Sequence, residues 1–316
     1  YKLLDLDDLE LPYRDKKENW REFIKTFLLK NRIDKIILFG DCRYYQNIAI
    51  KEAEKLNIDT FVFEEGYIRP DYVTFEKWGV NNFSLIPRDP TFYNKDIKVK
   101  EPLPTHPNHL KMIISATIYY ILAYLGKNSY PFYEHHRELN PYKEAFYGVR
   151  NFIRKYKYKL IEPNINAIIT KKYYFVPLQT FNDFQIRVHS PFNSIEEFIE
   201  IVIESFSKYA PNDSYLVIKH HPMDRGRKDY KKNIGSLEQK YNIKNRVIVI
   251  YDLHLPTLLR YTLGTITINS TVGFQALYHK SPLKVLGDAI YDIKGLTYQD
   301  SLDKFWSNLK NPDNKL

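Results

Sequence analysis

Cysteine is almost missing from this sequence: Cys42 stands alone among 316 residues. A single thiol excludes an internal disulfide and fits a reducing compartment such as the cytosol. Also missing are the short motifs that announce common chemistries. There is no P-loop, no Gly-x-Gly-x-x-Gly and no Gly-x-Ser-x-Gly, which leaves Walker-type phosphate binding, a dinucleotide fingerprint and a nucleophile elbow without support. Nucleic-acid-binding signatures are absent too, so nucleic acid is not expected as a partner. Neither an internal repeat nor a low-complexity segment occurs, and no stretch reads as a secretory signal or lipidation motif. Long apolar runs are lacking as well. The longest, LKMIISATIYYILAYL at residues 110–125, is too short and too polar for a membrane span. Its first reading is a helix buried in a domain core, with an interfacial membrane helix as the alternative. The chain opens on Tyr1 rather than Met and stops abruptly at Leu316, which reads as trimming at one or both ends.

What is present suits a soluble globular protein of two domains. Hydrophobic residues make up 44% and charged residues 27%, and the length allows a sizeable core in each domain. With 27 tyrosines and 19 phenylalanines, aromatics must fill much of those cores, and some tyrosines must face grooves. The net charge of +9 points to anionic partners, and charge alone does not choose among nucleotides, nucleic acid and an acidic membrane surface.

The apolar pattern alternates between strand and helix periods. An apolar strand at 35–39 ends in the turn Gly40-Asp41, a helix period covers 43–56, and a second strand follows at 58–63. This β-α-β unit argues for a parallel sheet with its ligands beyond the carboxyl ends of the strands. Irregular, Pro-containing sequence runs from Pro70 to about Pro107, then helical segments at about 110–124 and 143–159. Alternation restarts with strands at 173–178, 215–220, 246–251, 265–268 and 283–286 and helices between them. Ser194, with Glu197 three residues on, opens one of those helices as a capping box. The expected fold is α/β, with two Rossmann-like domains, 1–165 and 166–316, facing a crevice in the manner of glycosyltransferase B enzymes.

The chemistry-bearing residues cluster at strand ends. Phe61-Val62-Phe63 runs into adjacent carboxylates, Glu64 and Glu65, and then Gly66. Lys219-His220-His221-Pro222 ends an apolar strand; alternation sends the two imidazoles to opposite faces, and the proline stops the strand. One histidine there could bond a phosphate or protonate a leaving group, although strand-end histidines commonly just bond backbone. The basic stretch beyond, Arg225 to Lys232, reads mostly as a solvated helix face. Asn269-Ser270-Thr271-Val272-Gly273 offers hydroxyls and free N–H groups at a helix start, suited either to an anion or to plain N-capping. Gln179 and Asp183 follow another strand and suit sugar hydroxyls or loop-stabilising contacts. His135-His136-Arg137 and the basic cluster at 150–155 suit phosphate contact or a surface helix; adjacent histidines lack metal-ligand spacing, and no metal is expected. Asp5-Leu6-Asp7 matches Asp-x-Asp, a three-residue pattern of almost no weight.

Longer stretches are more specific. FGDCR at 39–43, FEEGYIRPDYVTFE at 63–76, GVNNFS at 79–84, PRDP at 87–90, HHR, PLQ and KHHPMDRG together resemble capsular polysaccharide biosynthesis proteins of the KpsS type, from about Trp20 to Trp306. These are β-Kdo transferases of Gram-negative bacteria. Glu64-Glu65-Gly66, His221-Pro222 and Ser270-Thr271-Val272 resemble the acidic, His-Pro and serine motifs of transferases that use CMP-activated acids. The further strand and Gly-containing loop with which that family usually begins read as missing or shortened here, as does its continuation past the last motif.

The resemblance implies transfer of β-Kdo from CMP-β-Kdo to a (lyso)phosphatidylglycerol acceptor, with retention, starting the poly-Kdo linker of a capsule. Glu65 is then the nucleophile, with Glu64 a supporting acceptor or the acid/base. His221, Lys219, Pro222, Asn269, Ser270, Thr271, Gln179 and Asp183 fall on the CMP-sugar side. Gly40, Asp41, Arg43, Arg69, His135, His136 and Arg137 fall on the acceptor side. No cofactor is implied, and a monophosphate leaving group does not require a metal. The expected setting is cytoplasmic, peripheral to the inner membrane, with a capsule-assembly complex among the expected partners. Two other readings stay open: a glycosyltransferase B enzyme using another nucleotide sugar, and a non-catalytic partner in capsule assembly.

Overall fold

The computed structural model describes residues 11–67, 72–93, 109–135 and 140–314. Two compact units emerge. The first comprises Tyr1–Glu64, Thr74–Gly79 and Leu103–Glu144, and the second Glu65–Val73, Val80–Pro102 and Ala145–Leu316. Neither unit is a continuous half such as 1–165 or 166–316, because the segments following Glu64 and Gly79 belong with the C-terminal sequence.

In the first unit, α1 (Trp20–Lys30), β1 (Lys35–Phe39), α2 (Tyr44–Lys55), β2 (Asp59–Glu65) and β3 (Val73–Lys77) follow in order. Strands β1 and β2 pair in parallel from Lys35↔Asp59 to Phe39↔Phe63, as the β-α-β pattern predicts. Strand β2 runs on through both glutamates. The third strand is an addition that the sequence pattern did not place. Gly66 N–H bonds the Tyr72 carbonyl and Trp78 N–H the Thr60 carbonyl, so β3 returns antiparallel alongside β2. One sheet face packs on α1 and α2 through Leu28, Ala53 and Ile58, with Ile24, Ile33, Ile36 and Leu56 around them. The other face shows Ile37, Phe39, Phe63 and Phe75.

The apolar run at 110–125 forms α3 (His109–Leu125), and it is not the buried core helix that was its first reading. Ile113, Ile118, Ile121, Leu122 and Leu125 are all exposed. Its apolar residues recur on every side instead of in one stripe, so no single sheet face covers them. Among the described residues no helix is long and apolar enough to cross a membrane.

The second unit is doubly wound. After α4 (Pro141–Ile161) and α5 (Ile165–Ile169), it runs β4 (Tyr173–Pro177), α6 (Phe184–Val188), α7 (Ile195–Tyr209), β5 (Tyr215–Lys219), α8 (Lys231–Lys240) and β6 (Val247–Ile250). Then come α9 (Leu255–Tyr261), β7 (Gly264–Thr267), α10 (Val272–Tyr278), β8 (Leu283–Val285) and α11 (Leu302–Phe305). The sheet order is β6-β5-β4-β7-β8, every neighbouring pair parallel. Every residue of the central strand β4 is buried. Tyr174, Val176, Leu216 and Ile218 face one core, and Tyr173, Phe175 and Val217 face the other, which is the period-2 pattern of a sheet covered on both sides.

Helix α7 shows why these covers hold. Ile195, Phe198, Ile199, Val202, Ile203 and Phe206 recur at helical spacing and are all buried, each burial contributing roughly 1.5–3 kcal/mol of transfer free energy. Ser194 Oγ accepts the Glu197 N–H at 3.1 Å, as the capping box predicts, while the Glu197 carboxylate reaches back to the Asn193 N–H at 2.7 Å. The chain leaves β4 through β5 to β6 on one flank, then crosses to β7 on the other. The topological switch point therefore lies between the carboxyl ends of β4 and β7, where ligands of open α/β sheets bind.

Candidate functional site

At that switch point two side-chain amides clasp each other. Gln179 Nε2 donates to Asn269 Oδ1 at 2.9 Å, and the Asn269 N–H donates to Gln179 Oε1 at 3.2 Å. Asn269 Nδ2 goes on to the carbonyls of Gln185 and His189, both at 3.0 Å. Asp183 caps α6 by accepting the Gln185 N–H at 2.9 Å and also receives Gln179 Nε2 at 3.3 Å. Of the two uses open to Gln179 and Asp183 in the sequence, the geometry displays the loop-stabilising one. The clasp fixes the floor on which the next residues stand.

Ser270 and Thr271 lead into α10. Ser270 Oγ accepts the Val272 N–H at 3.2 Å, and the Ser270 carbonyl accepts the Tyr291 hydroxyl at 2.5 Å. Thr271 makes no capping bond with its side chain. Gly273 is required here, since a Cβ would overlap the buried Tyr291 ring. Tyr291 also packs edge-on against Phe274, with ring centroids 4.7 Å apart.

His220 and His221 separate as strand alternation demands. His220 is buried, its Nδ1 bonded to the His221 carbonyl at 2.9 Å and its ring between Tyr230 and Tyr251. Burial pushes its pKa down. His221 caps the short turn Pro222–Asp224, its Nδ1 accepting the Met223 N–H at 3.2 Å. That bond leaves the proton on Nε2. Burial first, then His220 and Lys219, push the His221 pKa down to about 4, so the ring is a neutral N–H donor at pH 7. Lys219 does not extend as a free cation: its Nζ donates to the Tyr251 carbonyl, and burial lowers its pKa against the raising influence of Glu162 and Asp252. Glu162 in turn accepts the N–H groups of Tyr251 and Asp252 beyond β6.

The basic clusters turn out to be structural for the most part. Arg154 donates to the carbonyls of Arg225 at 2.9 Å and Lys228 at 3.1 Å, and Arg150 to those of Gly226 and Arg227. Arg225 is buried against Asp252, not on a solvated face. A Cβ on Gly226 would overlap the Tyr147 carbonyl of α4. These arginines thus clamp α4 onto the loop that carries His221-Pro222, and do not stand as a phosphate patch.

The acidic motif reaches this same unit. Glu64 shares the β2 face of buried Thr60 and Val62, whereas Glu65 is exposed. The Gly40 turn, at φ +75°, lies so close to Glu64 that a Cβ on Gly40 would stand 3.5 Å from Glu64 Oε2. Gly66 has no room for a side chain against the Tyr72 backbone. Two residues beyond Glu65, the Tyr67 hydroxyl accepts the Asn81 N–H at 2.9 Å, and its ring lies 5.5 Å from that of Phe274 in α10. Phe83 packs edge-on to His189, and Arg88 donates to the Ala289 carbonyl. Through Tyr67, Phe83 and Arg88, the segments FEEGY, GVNNFS and PRDP therefore meet the second unit on the side of its sheet where the strands end, near Asn269-Ser270-Thr271. Tyr67, Phe83 and Arg88 sit inside stretches quoted for the resemblance, but nothing in the pattern marked them as the tethers.

On the first unit, Asp41 is buried and receives the Cys42 thiol at 3.0 Å. Arg43 precedes α2 with its guanidinium over the Phe39 ring. His135 Nε2 lies 3.0 Å from the Tyr119 hydroxyl. Arg69, His136 and Arg137 lie outside the described residues, as does Asp5-Leu6-Asp7.

Residues 34–316 match the family described as capsule polysaccharide biosynthesis protein. The chain belongs to that family. This member of the capsule family is 43% identical to the capsule polysaccharide export protein KpsS of Escherichia coli over 289 residues, which is 90% of this chain and 74% of that one. It is 38% identical over 315 residues to the capsule polysaccharide modification protein LipB of Neisseria meningitidis serogroup B, covering 96% and 75%. Among solved structures, Thermosulfurimonas dismutans KpsC, a beta Kdo 2,7 transferase, is similar at a TM-score of 0.42 and 18% identity, covering 93% of this chain and 80% of that chain.

Proposed function

We propose that this capsule-family protein is a retaining glycosyltransferase that moves β-Kdo from CMP-β-Kdo to a (lyso)phosphatidylglycerol acceptor at the inner-membrane surface. The supporting observation is the tether of Tyr67 to Phe274, which sets the segment after Glu65 against α10, the helix that follows Ser270-Thr271, within one compact unit.

Glu65, exposed at the strand end, attacks the anomeric carbon as its bond to the CMP phosphate oxygen breaks, and the electron pair departs with CMP. The His221 Nε2–H and the Thr271 hydroxyl stabilise the departing phosphate. An acceptor hydroxyl then displaces the Glu65 carboxylate from the glycosyl-enzyme ester and gives up its proton, so two inversions restore the β configuration. Glu64, set against the Gly40 turn, supports Glu65 or takes that proton. Gln179, Asp183 and Asn269 position the phosphate loop instead of touching the donor. Acceptor contacts fall to Asp41, Arg43, Arg69, His135, His136 and Arg137. No metal is needed to discharge a monophosphate in this scheme.

The test is CMP release from CMP-Kdo with and without a phosphatidylglycerol acceptor, followed by mass spectrometry of lipid and protein. A lipid heavier by Kdo supports the reading. CMP release from another activated sugar in its place, or release from none while the donor still fails to bind, overturns it in favour of a different donor or a non-catalytic assembly role.

A further inference from the structure

Along α4 the residues Phe146, Val149, Ile153, Tyr156 and Leu160 recur at spacings of three and four, which sets them in one line on the helix. Each is more than half exposed, and Leu160 is 87% exposed. The opposite side carries Tyr147, Arg150, Arg154 and Tyr158, which bind the loop around Gly226 and Asp229. This helix is thus docked by its polar side and turns its apolar side outward, the reverse of a surface helix of a globular protein.

The charges around the stripe say what covers it. From 145 to 161 the helix carries Arg150, Arg154, Lys155, Lys157 and Lys159 and no acidic residue. Lys157 and Lys159 stand beside Tyr156 and Leu160, at the flanking positions of an apolar seam. Two copies of this stripe laid together would set like charges against each other. An anionic lipid surface meets the same lysines with opposite charge and takes Tyr and Phe rings at its headgroup level.

We propose that α4 is an interfacial helix, laying its stripe into the headgroup boundary of an anionic bilayer while Lys155, Lys157 and Lys159 meet lipid phosphates. This deepens the membrane-surface part of the function proposed above and rests on that part alone; the donor chemistry does not enter. Helix α3 supplies a second exposed apolar surface that is too short to cross a bilayer.

The experiment is flotation of the full chain with vesicles of phosphatidylcholine alone, or mixed with phosphatidylserine or with phosphatidylglycerol. Both anionic mixtures should carry the protein and phosphatidylcholine should not. The triple variant Lys155→Glu, Lys157→Glu, Lys159→Glu alters exposed residues only, and should lose at least about tenfold in partitioning with its circular dichroism unchanged. Ile153→Ser should lose a similar factor. Unchanged partitioning of the folded triple variant overturns the inference. So does binding to phosphatidylglycerol alone, which marks an acceptor site, or a dimer in sedimentation that Ile153→Ser dissolves. Turnover on detergent-dispersed acceptor is read separately, so lost transfer with intact vesicle binding counts against the reaction and leaves the helix assignment standing.

Discussion

At the end of β2, alternation turns the Glu65 side chain to the face of Phe61 and Phe63, while Glu64 shares the face of buried Thr60 and Val62 and meets the Gly40 turn. The two acids therefore differ in what they can reach. Glu65→Gln is expected to lower CMP release by about 10³-fold or more, as for a lost nucleophile, whereas Glu64→Gln should cost roughly tenfold. Steady-state rates with CMP binding measured alongside check the split; equal losses would make the two carboxylates one functional unit. His221 is pushed down to about 4 and Asp224, by burial, up to about 6. Between those values the unfolded chain binds more protons at the histidine, so that group destabilises the fold as pH falls. The aspartic acid acts the other way, because its folded form holds the proton longer. Asp224→Asn, which keeps an acceptor for the Phe181 N–H, should steepen acid unfolding below about pH 6, and His221→Gln should flatten it. Urea melts across pH 4 to 7, in steps of about one unit, read both.

The clamp between α4 and the loop after β5 governs stability at the level of elements. Arg154→Met would leave the Arg225 and Lys228 carbonyls without their guanidinium donor, at a cost of about 1–3 kcal/mol. Gly226→Ala forces a Cβ against the Tyr147 carbonyl and should cost a comparable amount, about 1–3 kcal/mol. Because both act on one contact, the double variant should fall short of their sum, and urea midpoints of the three variants test this. None of that clamp was legible in the sequence, where the basic cluster at 150–155 suits phosphate contact or a surface helix and the stretch from Arg225 reads mostly as a solvated helix face. What was legible is what period and caps dictate: the β-α-β at 35–63, the five parallel strands of the second unit, and Ser194 opening α7. Strand β3 was not, since VTFEK is five residues long and mixes charge with its apolar positions. Hydrophobicity located α3 as a helix, but it carries no information on what covers that helix. Of the site, the separation of His220 from His221 followed from alternation alone. The clasp of Gln179 with Asn269 needed the pairing of β4 with β7, a contact between residues ninety apart that no local pattern shows.

Across the whole molecule the two units differ in how much holds them together. Leu28, Ala53 and Ile58 centre the first core, while two large clusters sandwich the second sheet. Opening free energy rises with such burial, so amide protection should be uneven. Hydrogen exchange should be fastest in β1, β2 and β3 and slowest in β4, β5 and β7. Adding CMP extends the test to function. A ligand that binds only the folded second unit stabilises that unit by mass action, so new protection should appear in Gln179 to His189, His220 to Asp224 and Asn269 to Gly273. The β1–β2 pair should exchange as before. Protection confined instead to the Gly40 turn and α2 would move the nucleotide to the first unit and reverse the donor and acceptor assignments. Protection at Glu65 to Tyr67 alongside Asn269 to Gly273 would carry the Tyr67–Phe274 tether from a packed contact to a working part of the donor site.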